Sequence, residues 1–361
     1  MENQNNVMGM LELILRPAFC VRDGSIAFAN HQAQSRGLTA GTPISGLLAT
    51  GAEEYAALGD RCLYLLLQVE KSTFGASVTK VDGLDVFVLE PEQIQPELQA
   101  LALAARELRE PLSNLMVAAD RLLPTLDDTD ETAQKQAANI NRSLHHMLRL
   151  LDNMSDSARY AEEQIPRQEY RNVTALMGEF FEHAAALVES AGITLHFTNH
   201  PTEIRSLVDV EKLRRAVFNL ISNAVKFTPK GGHIDAKFTR HGNAMHLTIT
   251  DNGRGIPQEQ LSSLYHRYLR PSCVEDGRHG IGLGMVIVQA AAAAHGGTVL
   301  IEQPPEGGTK VTLTLAVRAQ TDGNFRSPAR VAIDYTGGRD RGLVELADLL
   351  PASSFQPKKI N

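Results

Sequence analysis

Apolar residues recur at alternating intervals of four and three in the middle of the chain, from Glu97 to about Glu163. That spacing is the seam of helices that pack in coiled-coil fashion. Pro124 and the Asp-rich stretch 127–130 mark a turn between two such runs, so this segment is predicted to be a helical hairpin. The seam residues are Leu101, Ala105, Leu108, Leu112, Leu115, Ala119 and Leu122, then Ile140, Leu144, Met147, Leu151 and Met154.

Two amphipathic helices of this kind cannot bury both seams well by themselves. A homodimer, in which two hairpins form a four-helix bundle, is the economical solution. The alternative is a hairpin that folds onto the rest of its own chain.

The segments on either side of the hairpin have other patterns. Residues 1–92 alternate short apolar runs with turn residues, and the Asp23-Gly24 pair predicts a tight β-hairpin between 19–21 and 26–29. Residues 166–318 alternate helical and strand periods, which predicts an α/β sandwich with a mostly antiparallel sheet. Further strands are predicted at 62–69, 77–81, 86–90, 194–198, 245–250, 298–302 and 309–315, and helices at 173–190, 210–225 and 284–295.

The remaining tail, 319–361, begins as a loop rich in Asp, Gly and Ser and then offers a strand-like run at 330–335 and a helix at 341–350. The whole chain is therefore predicted to be a multidomain α+β protein with four segments, 1–92, 93–165, 166–318 and 319–361. We expect residues 330–350 to dock on the preceding domain or on a partner.

Composition narrows the class of protein. Of the 361 residues, 43% are apolar, which is enough for packed cores. A net charge of −7 provides no electrostatic footprint for nucleic acid. No run approaches the roughly 18 apolar residues of a membrane span, so a cytoplasmic protein without a membrane segment is expected. The 3 cysteines are widely scattered, which argues against a zinc site or a disulfide framework.

A first chemical cluster lies on the predicted helix 210–225 and just beyond it. Asn219 and Asn223 are four residues apart, so their amides project from one helical face, with Lys226 one turn further on. Amide oxygens beside an ammonium group suit Mg²⁺ and the phosphates that it bridges. Buried asparagines that satisfy a neighbouring loop are the alternative interpretation.

Two glycine-containing clusters follow. Asp251 ends a strand and could accept a hydrogen bond from an exocyclic amine, while Gly253 and Gly255 allow the backbone to approach a flat ring. The run Gly280-Ile-Gly282-Leu283-Gly284 opens a helix, where backbone N–H groups favour phosphate. Each cluster alone is weak, because Asn-Gly turns and glycine loops often bind nothing.

Taken in order, the three clusters resemble the N, G1 and G2 boxes of the GHKL ATPase domain of histidine kinases, over about residues 170–316. The resemblance implies Mg-ATP binding, with Asn223 as the Mg²⁺ ligand and Asn219 and Lys226 near the phosphates. Asp251 would bind the adenine amine, and residues 256–279 would form a mobile lid. The other residues implied are Gly253, Gly255 and Thr309 at the adenine, Gly280, Gly282, Leu283 and Gly284 around the phosphates, and Arg267 or Arg270 at the γ-phosphate.

The hairpin resembles the dimerisation and phosphotransfer domain of the same family. Residues 105–112 read Ala-Arg-Glu-Leu-Arg-Glu-Pro-Leu where the family carries Ser-His-Glu-Leu-Arg-Thr-Pro-Leu. Arg106 therefore replaces the phospho-accepting histidine, and a guanidinium has no lone pair for attack on a phosphate. Glu107 keeps the place of the general base. Glu110 stands where Thr or Asn would orient water, and its charge would repel a phosphoryl group.

A relocated acceptor is conceivable from hairpin geometry. If residues pair across the turn at a constant sum, Arg106 lies opposite about Leu148, and His145 and His146 are within about 5 Å of that level. Both histidines fall off the seam, so we expect them to be exposed. The plain interpretation is that they are solvated and have no chemical role.

The N-terminal stretch 16–30 resembles the opening of a PAS sensor domain, in which a strand pair ends in an Asn that starts a helix. The chain thus looks like a sensor histidine kinase whose acceptor is lost, a nucleotide-regulated pseudokinase that signals to a response regulator or another protein. The alternative is an active kinase that phosphorylates His145, His146 or a partner. A GHKL ATPase of the chaperone or DNA-repair type is disfavoured by the hairpin and by the Tyr/Arg-containing stretch 264–270.

Overall fold

The computed structural model describes residues 2–90, 96–162, 168–256, 283–319 and 339–356. The predicted strand at 330–335 and nearly all of the predicted lid at 256–279 lie outside these residues. Within the described residues, no helix combines the length and apolarity that a bilayer crossing requires.

The N-terminal domain is a five-stranded antiparallel sheet with short helices. Asp23 and Gly24 both have positive φ, as a tight hairpin requires, which confirms the predicted turn. A second turn of the same type, at Asp82 and Gly83, was missed. The elements are α1 (Glu2–Glu12), β1 (Ala18–Arg22), β2 (Ser25–Ala29), α2 (His31–Gln34), α3 (Ala52–Ala56), β3 (Cys62–Val69), β4 (Ser72–Val81) and β5 (Leu84–Leu89).

Asn30 ties this domain together. Its Oδ1 accepts hydrogen bonds from the backbone N–H of Ala33, which caps α2, and from that of Ala18. Its Nδ2 donates to the backbone oxygens of Leu11, Ile14 and Arg16, so the end of α1 is fixed to the sheet. The prediction that this Asn starts a helix is confirmed.

The helical hairpin consists of α4 (Pro96–Leu122), a 3-10 turn (Leu123–Thr125) and α5 (Glu131–Glu162). Only part of the predicted seam packs within the chain. On α4, every second residue of the seam packs against α5. Those residues are Ala105, Leu112 and Ala119. The alternate seam residues are exposed by 45% to 63%, namely Leu108, Leu115, Leu122, Ile140 and Met147.

The C-terminal α/β domain packs three helices on a mainly antiparallel sheet, as predicted. Among the described strands, β7 and β9 form the parallel pair. Strands β6, β8 and β9 were missed, because the first two are short and polar and the third carries charged residues on its exposed face. The elements are β6 (Glu169–Asn172), α6 (Val173–Ser190), β7 (Thr194–Thr198), β8 (Arg205–Val208), α7 (Val210–Phe227), β9 (His233–His241), β10 (Ala244–Asp251), α8 (Gly284–Ala294), β11 (Val299–Glu302) and β12 (Thr309–Ala316).

One sheet runs through both α/β units. Its order is β2-β1-β5-β4-β3-β11-β12-β10-β9-β7, so β3 of the N-terminal domain pairs antiparallel with β11. Arg61 donates to Glu302 at 3.2 Å beside this junction. The N-terminal domain is therefore joined directly to the C-terminal domain, and β11 and β12 lie between β3 and β10. The strand pattern of the sequence did not predict this pairing.

The tail segment, defined as residues 339–356, lies against the hairpin and the C-terminal domain. The helix predicted at 341–350 is shorter in the structure, where α9 spans Arg341–Glu345 and Leu346 is its C-cap. Turns and a 3-10 turn (Ala352–Phe355) follow. Leu346, Leu350 and Phe355 enter the core of the C-terminal domain. Docking of this segment was predicted, and these contacts confirm it.

Candidate nucleotide site

The first predicted cluster lies on α7, which Asp209 caps by accepting a hydrogen bond from Lys212 N. Asn219 is buried, and its Nδ2 donates to the Arg215 backbone oxygen at 2.8 Å. Its Oδ1 faces the start of α8, since a Cβ added to Gly284 would lie only 2.6 Å from it. The first and third clusters are therefore in contact, as the sequence predicted.

The last turn of α7 meets the loop after β10. Asn223 is half-buried one turn beyond Asn219. The Lys226 ammonium lies 5.8 Å and the Arg254 guanidinium 5.0 Å from the centroid of the Phe227 ring. Gly253 packs against the Phe227 backbone so closely that a side chain there would overlap its carbonyl oxygen. This contact links the first cluster to the second.

Asp251 ends β10 with its carboxylate in the interior. Its Oδ1 accepts hydrogen bonds from Gly253 N at 2.9 Å and from Thr309 N at 3.3 Å. None of the described residues donates a hydrogen bond to Oδ2, so this atom is available to a ligand. Burial raises the pKa of Asp251, because few groups compensate the lost hydration of the charge.

Close backbone packing sets the position of Thr309 beside Asp251. A Cβ on Gly308 would overlap the Asp251 carbonyl oxygen, and one on Gly255 would lie 2.9 Å from the Gly308 oxygen. Gly255 and Gly308 both have positive φ, which a side chain strains. Gly255 and Gly308 therefore allow the backbone of the two loops to pack closely around Asp251, which an ordinary strand-ending Asn-Gly turn would not require.

The structure thus brings together most of the predicted site residues. Thr309 and Leu283 are both buried at its edges. The predicted residues that lie outside the described part of the chain are Arg267, Arg270, Gly280 and Gly282.

Among the described residues, the side chains at this site that suit a metal ion are amides. The described residues contain no cluster of His, Cys, Asp or Glu that could hold a metal ion. The Asn219 Nδ2 donates to the backbone, and its Oδ1 faces the start of α8. Asn223 has a second amide on the same helical face. Hard oxygen donors of this kind fit Mg²⁺ when it keeps most of its waters.

The residues predicted to matter on the hairpin lie away from these contacts. Arg106, Glu107 and Glu110 are all exposed on α4. Arg109, one turn after Arg106, pairs with Asp152 at 3.0 Å. The predicted register would have placed Arg109 opposite residue 145, so the register of the hairpin differs from the constant-sum estimate.

The expectation that His145 is exposed is wrong. Its side chain is 2% exposed, its Nδ1 lies 2.8 Å from the Asn141 backbone oxygen, and its ring packs edge-on against Phe355 of the tail segment. This burial lowers the pKa of His145. His146 is half-buried, and burial lowers its pKa too. The hairpin pattern alone could not reveal that the tail covers this face.

Sequence reasoning also missed a buried charge cluster between α5, α7 and α9. Arg215 donates to Glu345 and to Asn153, and Arg149 donates to Asp348 and to Ser222, the neighbour of Asn223. Burial raises the pKa of Asp152 at the edge of this cluster to about 6. No local signal in the sequence distinguishes these buried charges from an ordinary solvated helix face.

Two family models match the chain over the regions just described. Residues 208–319 match "Histidine kinase-, DNA gyrase B-, and HSP90-like ATPase", and residues 97–163 match "His Kinase A (phospho-acceptor) domain". Over these two stretches the chain is similar to the ATPase and phospho-acceptor domains of histidine kinases. These matches support the predicted ATPase domain and the predicted HisKA-type hairpin.

The curated relatives of this chain include histidine kinases. Histidine protein kinase DivJ of Caulobacter vibrioides is 32% identical over 60% of this chain and 37% of its own length. Sensor-like histidine kinase SenX3 of Mycolicibacterium smegmatis is 27% identical over 64% of this chain and 59% of its own length. Sensor histidine kinase CusS of Escherichia coli is 29% identical over 58% of this chain and 44% of its own length. The chain therefore spans less than two thirds of these relatives.

Among solved structures, full-length ShkA in complex with AMPPNP aligns with a TM-score of 0.50. It is 23% identical, and the alignment covers 63% of this chain and 47% of ShkA. At this identity the likeness concerns the fold alone.

Proposed function

We propose that this chain binds Mg-ATP at the site formed by α7, the end of β10 and the start of α8. The observation that carries the proposal is the Asp251 carboxylate, which is buried at a strand end and whose Oδ2 accepts a hydrogen bond from none of the described residues. The contact of Asn219 with Gly284 is consistent with it. Asp251 would accept a hydrogen bond from the adenine amine. Asn223, with Asn219, would hold Mg²⁺, which when bound neutralises phosphate charge. The solved structure of ShkA, which has a similar fold, is a complex with AMPPNP, and this supports nucleotide binding by the same fold here.

The protein is, in this proposal, a nucleotide-regulated pseudokinase. Arg106 stands at the exposed position where the HisKA resemblance places the acceptor, and it has no lone pair that could attack a phosphate. Nucleotide would then act by favouring one arrangement of the domains, which is possible if it binds two arrangements unequally.

The remaining parts of the proposal concern input and output. The strand pair that ends in the helix-capping Asn30 supports a PAS-like sensor domain. The exposed apolar seam of α4 and α5 supports a homodimeric four-helix bundle, since pairing would cover Leu108, Leu115 and Met147. A response regulator or another signalling protein in the cytoplasm would receive the output.

An active kinase with a displaced acceptor is the second candidate. Its support is the position of the two histidines on α5. The burial of His145 beneath Phe355 weighs against that residue in this conformation, and half-buried His146 is then the better choice for this candidate.

Calorimetric titration with Mg-ADP and Mg-GDP tests the nucleotide site. Asp251→Asn replaces a charged acceptor by an amide, so ADP affinity is expected to fall about 10- to 100-fold, because bonds to charged groups contribute about 1.5–3 kcal/mol. The new amide can donate to the guanine carbonyl, so the preference for adenine over guanine should fall as well. Asn223→Ala should weaken ADP binding only when Mg²⁺ is present.

The matched control is Asp235→Asn, because Asp235 is an exposed carboxylate on the neighbouring strand and lies opposite Thr250. It should leave ADP affinity unchanged. Unchanged ADP affinity in Asp251→Asn, or a wild-type chain that binds no nucleotide, would overturn the proposed site.

A further inference from the structure

We propose that the tail segment is an intramolecular clamp: its acidic face occupies a docking surface formed by Arg149 and Arg215, and holds the ATPase domain against the HisKA hairpin until it is released. Residues 339–356 lie beyond both family matches, which end at residues 163 and 319. The contacts of this segment are therefore an addition to the two family domains.

The centre of the clamp is a buried ion-pair cluster. Glu345 is 3% exposed and lies 2.5 Å from the Arg215 guanidinium of α7 and 3.9 Å from that of Arg149 on α5. The two arginines are 6% and 8% exposed. One carboxylate thus lies between a cation from each domain, and its charge offsets the repulsion that the two cations would otherwise exert.

A second acidic residue extends the same contact to the nucleotide helix. Asp348 pairs with Arg149, and the Arg149 Nη2 donates to the Ser222 hydroxyl at 2.7 Å. Ser222 directly precedes Asn223 on α7. The clamp therefore fixes α7 to α5 beside the residue that is proposed to hold Mg²⁺.

The start of the segment is anchored to both domains, and its end is anchored to the hairpin. At its start, Arg339 pairs with Asp120 of α4, while Asp340 accepts from His183 of α6 at 2.9 Å. At its end, the Phe355 carbonyl oxygen accepts from Asn141 at 3.1 Å, and its ring packs against His145. A single segment of 18 residues thus spans the hairpin and the ATPase domain.

Release of the segment leaves the arginines with other partners. Arg215 retains Asn153 at 2.8 Å and Asp156 at 3.1 Å, and Arg149 retains Ser222. These partners lie across the contact between α5 and α7, so they remain while the two helices stay together. A buried charge stripped of every partner would forbid release of the segment, whereas partly compensated charges permit it. The cluster is therefore suited to two states, clamped and released, which is what a regulated contact requires.

Hydrogen exchange on the full chain without nucleotide tests the clamp, so that its outcome is independent of the proposed nucleotide function. Glu345→Gln with Asp348→Asn removes the acidic face and keeps the shapes. Amide exchange in 141–153 of α5 and 211–222 of α7 is expected to rise about tenfold, as for a local opening, while β9, β10 and β12 stay protected. An added peptide of sequence 339–356 should restore protection, and the same peptide carrying both substitutions should not.

The matched control is Asp235→Asn with Glu306→Gln, two exposed carboxylates distant from the cluster, which should leave exchange unchanged. Unchanged exchange in the clamp variant would overturn the proposal. Loss of protection throughout the sheet would overturn it too, because the segment would then be part of the folding core. Failure of the wild-type peptide to restore protection would show that Arg149 and Arg215 form no docking surface.

Discussion

Arg215→Ala is expected to lower the free energy of unfolding by about 3–5 kcal/mol, the cost of removing one partner from a buried ion pair. Glu345 is 3% exposed and would lose the cation at 2.5 Å, and Asp156 would lose the same cation at 3.1 Å. Both carboxylates would then have one cation fewer to offset their charge in a site that excludes most water. Urea unfolding followed by circular dichroism measures the change, since the chain contains 0 tryptophan residues.

Arg214→Ala is the matched control for this prediction. Arg214 is the adjacent residue on α7, but its side chain is 26% exposed and pairs with Glu211, whose side chain is 40% exposed. Pairs of this kind contribute at most about 1 kcal/mol. Equal losses in the two variants would mean that the buried cluster contributes no more than an ordinary surface pair.

Gly308→Ala is expected to destabilise the ATPase domain by about 3–5 kcal/mol and to abolish nucleotide binding. The new Cβ would overlap the Asp251 carbonyl oxygen and lie 2.8 Å from its carbonyl carbon and 3.2 Å from the Asn252 Cα. Backbone atoms cannot rotate away as side chains can, so β12 must move from β10. Urea unfolding and calorimetric titration with Mg-ADP measure the two effects.

Gly307→Ala distinguishes the effect of steric overlap at Gly308 from the effect of backbone strain. Gly307 has φ 94° and Gly308 φ 80°, yet a Cβ on Gly307 meets nothing within 4 Å. Its substitution should therefore cost only the strain of positive φ, about 1–2 kcal/mol, and leave nucleotide binding measurable. A Gly308→Ala variant no worse than Gly307→Ala would contradict the tight packing beneath Asp251.

The parts of the fold that follow from local pattern were predictable from sequence. The alternating spacing in 101–154 indicated the hairpin, and turn chemistry indicated the β1–β2 pair. Asp251, Gly253 and the glycines at and before the start of α8 were assigned to one site because their order along the chain resembles the N, G1 and G2 boxes of the histidine-kinase ATPase domain. The position of each cluster at the end of a strand or the start of a helix was consistent with that assignment but too weak to make it alone.

Other features depend on contacts between distant segments, which carry no periodic signal. The pairing of β3 with β11 involves three residues on each strand. An apolar strand sequence does not show which other strand it pairs with. His145 was predicted to be exposed because the hairpin pattern describes only one face of α5. The cover over its ring is supplied by Phe355, 210 positions later, at the end of a tail that has little pattern of its own.

Incubation of the wild-type chain with Mg²⁺ and γ-labelled ATP, followed by acid and base treatment, tests the central claim most directly. Arg106→His runs beside it, because an imidazole next to Glu107 has the lone pair that the guanidinium lacks. A pseudokinase should show bound nucleotide but no covalent label on the wild-type chain, and acid-labile, base-stable label on Arg106→His. Acid-labile label on the wild-type chain that disappears when His145 and His146 are both changed to Ala would contradict it, and would show a working kinase with a displaced acceptor.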